Sequence, residues 1–159
     1  MRLRGSCQCG KVRFRLDSQT PYPFMYCYCS ICRKTTGGAF GCNIMGRRET
    51  LRVSGEKHLK RYHAMIRNPG KRAVRSPGER WFCAECGTHL YVLDDRWPQG
   101  VWPNAGAIDT PLPAPAEMVH IMLRFKPAWV QVCGRGPRFR EYPRLSIADW
   151  HDRHGVRVR

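Results

Sequence analysis

The residues of this sequence whose types and spacing could do chemistry are its cysteines, nine among 159 residues. Seven of them fall into three short clusters, which are Cys7 and Cys9, then Cys27, Cys29 and Cys32, then Cys83 and Cys86. Cysteines so close in sequence rarely bridge each other, because a disulfide requires a particular Cβ separation and torsion. They do place sulfurs on one side of a tight turn, where they can ligate a tetrahedral zinc ion. The spacing therefore favours metal binding over disulfides.

The clusters divide most simply into one site with four sulfurs and one with three. The first, the four-cysteine group, consists of Cys7, Cys9, Cys83 and Cys86. The second, the three-cysteine group, consists of Cys27, Cys29 and Cys32. We predict a closed structural zinc at the four-cysteine group, and at the three-cysteine group a catalytic zinc with an exchangeable fourth position. Spacing alone leaves other pairings open, and a second structural zinc completed by a protein ligand such as His63 is the alternative.

Two cysteines and several histidines stand outside these groups. We expect Cys42 and Cys133 to be buried thiols, because isolated cysteines usually behave as small apolar residues. His89 is expected to alternate along a strand without binding metal. His151 and His154 lie three residues apart on a predicted helix, so they are expected to form a surface pair.

The formal charge of the chain is +16, and arginine supplies 22 of the 28 cationic residues. So large a charge is compatible with a polyanionic partner such as nucleic acid. The arginines are scattered, however, and no run of cations exceeds two residues. Charge alone therefore does not favour a nucleic-acid partner, and a solvated basic surface is the simpler interpretation.

Length and composition predict one globular domain over residues 1–159. Apolar residues make up 42% and charged residues 25%, ordinary values that exclude a mainly disordered chain. No apolar run approaches the roughly 18 residues that span a bilayer, and the first residues lack the apolar region of a signal peptide. We therefore expect a cytoplasmic protein without a membrane segment.

Alternating apolar and polar residues, punctuated by glycine and proline, predict a mainly β fold. Predicted strands cover residues 11–17, 39–45, 50–53, 58–63, 79–83, 88–93, 101–108 and 118–125. The segment from Cys7 to Gly10 is predicted to form a hairpin turn, and Pro77-Gly78 to punctuate the strands. A helical turn is predicted at Ser30–Thr35 with Ser30 as its N-cap. A short C-terminal helix is predicted over about 146–155, after a capping box that begins at Ser146.

Three motifs carry the seven clustered cysteines. They are Gly5-Ser6-Cys7-Gln8-Cys9-Gly10, Cys27-Tyr28-Cys29-Ser30-Ile31-Cys32-Arg33-Lys34 and Phe82-Cys83-Ala84-Glu85-Cys86-Gly87-Thr88. Their order and spacing resemble those of the glutathione-dependent formaldehyde-activating enzymes, a family that also includes centromere protein V. The similar region runs from about residue 3 to 130. In one departure, Tyr26 and Tyr28 stand where family members often carry histidines, so this chain lacks histidines that could handle protons there.

The resemblance implies an Mss4-like zinc fold of small antiparallel sheets, with a structural zinc on the four-cysteine group and a catalytic zinc on the three-cysteine group. It also implies a carbon–sulfur lyase that adds glutathione to formaldehyde, with Cys27, Cys29 and Cys32 as catalytic residues. A zinc with an open position lowers the pKa of an incoming thiol and holds it as the reactive thiolate. Arg33 and Lys34, next to this group, could bind the two carboxylates of glutathione. The alternative is a zinc-stabilised nucleic-acid or protein-interaction module without catalysis.

Overall fold

The computed structural model describes residues 1–19, 23–115 and 118–155. Its strands, in chain order, are β1 (Arg2–Ser6), β2 (Arg13–Asp17), β3 (Phe24–Cys27), β4 (Gly41–Asn43), β5 (Gly46–Arg47), β6 (Arg52–Ser54), β7 (Leu59–Ile66), β8 (Val74–Cys83), β9 (His89–Leu93), β10 (Gly100–Pro103) and β11 (Met118–Ile121). The α-helices of this part of the chain are α1 (Ser30–Thr36) and α2 (Ile147–Arg153). Short 3₁₀ helices lie at Arg48–Thr50, Glu56–His58, Ala105–Ala107 and Leu123–Phe125. The predicted mainly β fold with a short C-terminal helix is confirmed.

The strands form three small sheets. Sheet 1 has the strand order β1-β2-β6, sheet 2 the order β5-β10-β9-β8-β7, and sheet 3 the order β11-β3-β4. Neighbouring strands pair antiparallel, as expected, except that β3 and β11 are parallel in sheet 3. Each sheet is too small to bury a core alone, so the three depend on one another and on the turns that join them.

The alternation in the N-terminal strands separates a buried face from an exposed one. In β1 and β2 every second residue is buried, and Leu3, Phe14 and Leu16 enter the main core with residues of sheet 2. A second, smaller core cluster consists of Cys27, Val119 and Ile121 in sheet 3. The three-cysteine group thus begins inside this smaller core, at the end of β3.

The expectation that Pro77-Gly78 would punctuate the strands is wrong, because β8 runs continuously through both residues. The pairing of β7 with β8 shifts in register between His63 and Met65, opposite this dipeptide. Proline has no backbone N–H to donate to a neighbouring strand, and a local irregularity lets the strand continue past it.

Other predicted strands end early where the backbone tightens into 3₁₀ helices. The segment 101–108 is a strand only as far as Pro103, after which the Asn104 side chain accepts a hydrogen bond from the Gly106 N–H at 3.4 Å. The segment 118–125 is a strand only to Ile121, because Met122 adopts a left-handed conformation with φ of 61°.

The capping box that predicted α2 is present. Ser146 Oγ accepts a hydrogen bond from the Asp149 N–H at 3.1 Å, and the Asp149 carboxylate accepts one from the Ser146 N–H at 2.9 Å. Neither α1 nor α2, the helices of the described ranges, has the length and apolar composition needed to cross a membrane.

Candidate functional site

The four-cysteine group lies where two hairpin turns meet. Cys7 and Cys9 lie in the turn between β1 and β2, and Cys83 and Cys86 at the turn between β8 and β9. All four sulfurs lie within 4.8 Å of one another, with Cys7 and Cys9 3.5 Å apart and Cys9 and Cys83 3.7 Å apart. The structure therefore brings together four residues that sequence spacing had assigned to one site.

Each of these turns requires a glycine directly after its second cysteine. Gly10 and Gly87 both have φ of 72°, a left-handed conformation that side chains with a Cβ rarely adopt. Their N–H groups donate to the carbonyl oxygens of Cys7 and Cys83, both at 2.9 Å. The glycines thereby fold the backbone around the position that the sulfurs face.

Polar contacts join the two turns to each other. The Gln8 N–H donates to Thr88 Oγ1 at 3.1 Å, and Lys11 Nζ lies 3.1 Å from a carboxylate oxygen of Glu85. The Thr88 hydroxyl also lies 3.2 Å from Cys86 Sγ, and its hydrogen bond lowers the pKa of the Cys86 thiol to about 5. These contacts hold the turns in register and favour the thiolate form of Cys86.

The three-cysteine group is built by the end of β3 and the start of α1. Cys27 ends the strand, Cys29 caps the helix, and Cys32 lies in its first turn, with all three sulfurs within 4.8 Å of one another. Cys29 Sγ accepts a hydrogen bond from the Cys32 N–H at 3.3 Å, so Ser30 is the first helical residue and not the predicted N-cap. Hydrogen bonds from the thiols of Cys27 and Cys32 lower the pKa of Cys29 to about 2.

The donor sets of both groups fit zinc. Thiolate sulfurs bind zinc at about 2.3 Å, and a regular tetrahedron of that size has sulfurs about 3.8 Å apart. The sulfur distances of 3.5 and 3.7 Å in the four-cysteine group are close to that value. Around the three-cysteine group, no other His, Cys, Asp or Glu of the described residues completes the set. The donor chemistry thus fits one closed site and one site with an open position.

His63, considered above as a fourth ligand, lies elsewhere. Its Nδ1 is 3.0 Å from the carbonyl oxygen of Ser76, and its Nε2 is 3.5 Å from a carboxylate oxygen of Glu79. Both ring nitrogens therefore face groups of the β7–β8 hairpin, and His63 does not join the three-cysteine group.

A cleft of about 440 Å³ lies between the end of α1 and the β8–β9 turn. Lys34 and Thr36 line it from α1, and Cys86, Thr88 and His89 from the other side. The cleft thus borders the four-cysteine group through Cys86, and no residue of the three-cysteine group is among its lining residues. Its volume falls within the roughly 300–1,000 Å³ of typical ligand sites. α1 has Cys29 as its N-cap and Cys32 in its first turn, and its last turn lines the cleft, so the helix runs from the three-cysteine group to the cleft.

His89 is the most unusual residue of this cleft. Its side chain is only 6% exposed, and neither ring nitrogen has a hydrogen-bond partner among the described residues. Burial, with the nearby charge of Arg80, lowers the pKa of His89 to about 4, so the imidazole is neutral at pH 7. Buried polar groups are normally hydrogen-bonded, and one that is not calls for an explanation such as a missing ligand.

The two cations predicted to bind substrate point to different places. Arg33 is half-buried, and its Nε donates to the carbonyl oxygen of Tyr28 at 3.1 Å. Lys34 is exposed and lines the cleft. Both lie in the last turn of α1, where cations also offset the negative end of the helix dipole.

Tyr26 and Tyr28 belong to an aromatic cluster beneath the three-cysteine group. Tyr28 is fully buried, and its hydroxyl lies 3.0 Å from Nδ1 of His120, which is also buried. Tyr26 stacks on Phe40 with ring centroids 4.2 Å apart. Burial raises the pKa of Tyr28, so its hydroxyl stays neutral and hydrogen-bonded.

Sequence reasoning missed Tyr142, which the C-terminal segment brings to the three-cysteine group. The segment runs beside the end of sheet 3, where the Met122 N–H donates to the Glu141 carbonyl oxygen at 3.1 Å. Phe139 packs on the core cluster that contains Cys27. Tyr142 is 59% exposed as a residue. Desolvation of its hydroxyl, followed by the charge of Cys27, raises its pKa to about 12, while Arg96 acts in the opposite direction.

An aromatic wall extends from Tyr142. Its ring meets Trp97 edge to face at 6.4 Å between centroids, and Arg96 lies over Trp97 at 4.6 Å. No local motif signals this wall, because it joins a loop between β9 and β10 to a segment far along the chain.

Two expectations about isolated residues are wrong. Cys133 is exposed, because it lies in a loop outside the strands and helices, whereas Cys42 packs against the main core but is only half-buried. His151 is buried, with Nδ1 3.0 Å from Gln19 Oε1, while His154 is exposed and stacks on Trp150. These histidines do not form a surface pair, because α2 turns His151 inward.

Comparisons with known proteins agree with these features. The sequence model of the family described as glutathione-dependent formaldehyde-activating enzyme matches residues 2–124. A protein of Halomonas elongata, provisionally named a glutathione-dependent formaldehyde-activating enzyme, is 50% identical over 159 residues, which cover 98% of each chain. A crystal structure of a Rhodobacter sphaeroides protein superposes with a TM-score of 0.54 at 25% identity, covering 69% of this chain and 91% of that one.

Proposed function

Because the chain belongs to the glutathione-dependent formaldehyde-activating enzyme family, we propose that it adds glutathione to formaldehyde, or to a related small electrophile, at the three-cysteine group. The observation that carries the proposal is a set of three thiol sulfurs within 4.8 Å, without a fourth ligand from the described residues. In the reaction a C–S bond forms, the C=O π bond breaks, and the thiol proton ends on the oxygen. The reverse reaction breaks the C–S bond, which makes the enzyme a carbon–sulfur lyase.

Two zinc ions per chain belong to this proposal, one in each cysteine group. The four-cysteine group, closed by its own four sulfurs, would serve the fold. Zinc bound by Cys27, Cys29 and Cys32 would stabilise an incoming thiol as the nucleophilic thiolate. The chain itself would supply the three zinc ligands, the cleft that binds glutathione, and the hydrogen-bond donors to the oxygen atoms of both substrates.

The cleft beside α1 is the proposed binding site for the rest of glutathione. Lys34 lies five positions after Cys29, which corresponds to about 7.5 Å along the helix axis at 1.5 Å per residue. The glutathione thiol is on the central residue of the tripeptide, so each terminal carboxylate extends about 5–7 Å from it. The flexible Lys34 side chain would cover the remaining distance. Arg33 Nε donates to the Tyr28 carbonyl oxygen, so its terminal guanidinium nitrogens would hydrogen-bond the other carboxylate. His89 would find in the peptide the hydrogen-bond partner that it lacks.

Tyr142 is the proposed donor to the electrophile. As thiol sulfur attacks the carbonyl carbon, negative charge develops on the oxygen, and a positioned O–H group stabilises that charge. A tyrosine hydroxyl is protonated at neutral pH and can donate in this way. Ile121 pairs with Cys27 in sheet 3, and the next residue, Met122, donates to the carbonyl oxygen of Glu141, the neighbour of Tyr142. This placement supports the role.

The test is formation of S-hydroxymethylglutathione from glutathione and formaldehyde, followed by NMR above the spontaneous rate. We expect the zinc-loaded protein to accelerate it, and Lys34→Gln to raise KM for glutathione about tenfold, since a hydrogen bond to a charged group contributes about 1.5–3 kcal/mol. Lys57→Gln is the matched control, because Lys57 is exposed on a 3₁₀ helix and does not line the cleft. Absence of acceleration by the two-zinc protein would contradict the proposal.

A further inference from the structure

The outer face of sheet 1 presents a regular array of cations that the sequence does not reveal. We call it the arginine face, which consists of Arg2 and Arg4 in β1, Arg13 and Arg15 in β2, and Arg52 in β6. The strand register places Arg4 directly opposite Arg15, and Arg15 directly opposite Arg52. All five side chains are exposed, while the other face of the sheet packs on the main core.

The spacing of this array follows from sheet geometry. Neighbouring strands lie about 4.8 Å apart, and residues two apart on one strand are separated by about 6.7 Å. The remaining positions of the face are Ser6, Ser54 and Asp17. Two carboxylates lie beside the five arginines, because Ser6 Oγ donates to the Asp109 carboxylate at 3.1 Å. The Asp17 carboxylate is paired with Arg2 at 3.1 Å and lies 3.8 Å from Arg47.

Among the described residues, four of the five arginines form no ion pair with a carboxylate. Within the described ranges, no carboxylate oxygen lies within 4.0 Å of Arg4, Arg13, Arg15 or Arg52. Arg52 instead donates to the carbonyl oxygens of Glu49 and Leu51, at 2.8 and 2.9 Å, which orders its guanidinium. Like charges directly opposite each other destabilise a sheet. The row Arg4–Arg15–Arg52 therefore lowers the stability of the folded protein unless a bound anion neutralises its charge.

The chemistry of this face fits phosphate groups spaced along a backbone. Guanidinium groups bind phosphate oxygens in a bidentate manner, and a row of them can follow a series of phosphates. The face carries no aromatic side chain, so it has no platform on which unpaired bases could stack. We propose that the arginine face binds the phosphate backbone of a DNA duplex without reading its sequence. This binding does not depend on the proposed enzymatic activity.

The experiment is fluorescence anisotropy of a labelled 20-base-pair duplex with the full-length, zinc-loaded protein at several salt concentrations. Four unpaired arginines that each neutralise one phosphate predict a log–log salt slope of about −3.6. The affinity should then fall about 150-fold between 50 and 200 mM salt. The triple variant Arg4→Gln, Arg15→Gln, Arg52→Gln should reduce the slope to about −0.9.

A second triple variant controls for net charge. Arg67, Arg72 and Arg75 are exposed around the turn of the β7–β8 hairpin, and replacing them with glutamine removes the same charge. This variant should keep the wild-type slope. The proposal would be overturned if both variants reduced the salt slope equally, or if only the control variant reduced it. It would also be overturned by tighter binding to a single strand of equal length, or by a duplex affinity that does not change with salt.

Stability offers an independent readout of the same face. Arg15 stands between two arginines, so Arg15→Gln should raise the melting temperature by about 1–3 °C while weakening duplex binding. A higher melting temperature together with weaker duplex binding is expected only if Arg15 contributes to ligand binding and does not stabilise the fold. A decrease in melting temperature together with unchanged duplex affinity would contradict the assignment.

Discussion

Replacing Cys83 with serine should unfold the protein or destabilise it severely. Cys83 is 0% exposed and is one of the four sulfurs that join the β1–β2 turn to the β8–β9 turn. Apparent zinc binding free energies in small structural sites are about 10–16 kcal/mol, and this binding energy is folding energy. A typical domain has a total stability of only about 5–15 kcal/mol. Losing even half of the metal's contribution would therefore remove most of the stability.

The assay is the melting temperature, with zinc content per chain measured on the same samples. For a chain of this size 1 kcal/mol corresponds to about 2–4 °C, so a loss of about 5 kcal/mol shifts the midpoint by at least 10 °C. Cys133→Ser is the matched control, because Cys133 is exposed and outside both groups, and it should melt like the wild type. If Cys83→Ser melts within a few degrees of wild type, the four-cysteine group does not support the fold and the reasoning is refuted.

Three further predictions concern Tyr142, Ser146 and His89. Tyr142→Phe should lower kcat about 10- to 100-fold with zinc content and KM for glutathione unchanged, because it removes one donor to a developing charge; an unchanged kcat would remove Tyr142 from the mechanism. Ser146→Ala should lower the free energy of unfolding by about 1 kcal/mol, measured by denaturant titration, because it removes the N-cap of α2 without touching the site. The pKa of His89 is about 4 in the folded protein and about 6.5 in the unfolded chain. As the pH falls below about 6.5, the imidazole is protonated in the unfolded chain but not in the folded protein, so the free energy of unfolding decreases. Between pH 7.5 and 5.5 the wild type should lose about 1 kcal/mol more than His89→Gln, and equal losses would contradict the burial of a neutral imidazole.

Apart from the grouping of Cys7 and Cys9 with Cys83 and Cys86, which follows from counting zinc ligands, the features that sequence could predict are local ones. Cysteines one to three residues apart must lie close together in any fold, and Gly10 and Gly87 mark the turns that surround them. The alternation of Arg13 to Asp17 likewise predicts a half-buried strand, and the capping box at Ser146 predicts the start of α2. Each of these signals depends only on chain neighbours.

The features that sequence could not predict depend on contacts between distant segments. Tyr142 reaches the three-cysteine group only because the C-terminal segment pairs with the end of sheet 3. The row Arg4–Arg15–Arg52 exists only through the register of three strands. The cap of α1 was assigned to Ser30 because serine is the usual N-cap, whereas here the sulfur of Cys29 accepts the hydrogen bond.

The central claim, that the three-cysteine group performs the chemistry while the four-cysteine group holds the fold, is tested most directly by Cys29→Ser. Serine is a strong N-cap, so its hydroxyl can replace the sulfur that caps α1 while it removes a thiolate ligand. The measurement is glutathione-dependent consumption of formaldehyde, made on protein whose zinc content and melting temperature are known. We predict a folded variant with about one zinc per chain and at least 100-fold less activity than wild type. A variant that keeps two zinc ions and the wild-type rate, or that unfolds as readily as Cys83→Ser, would contradict the claim.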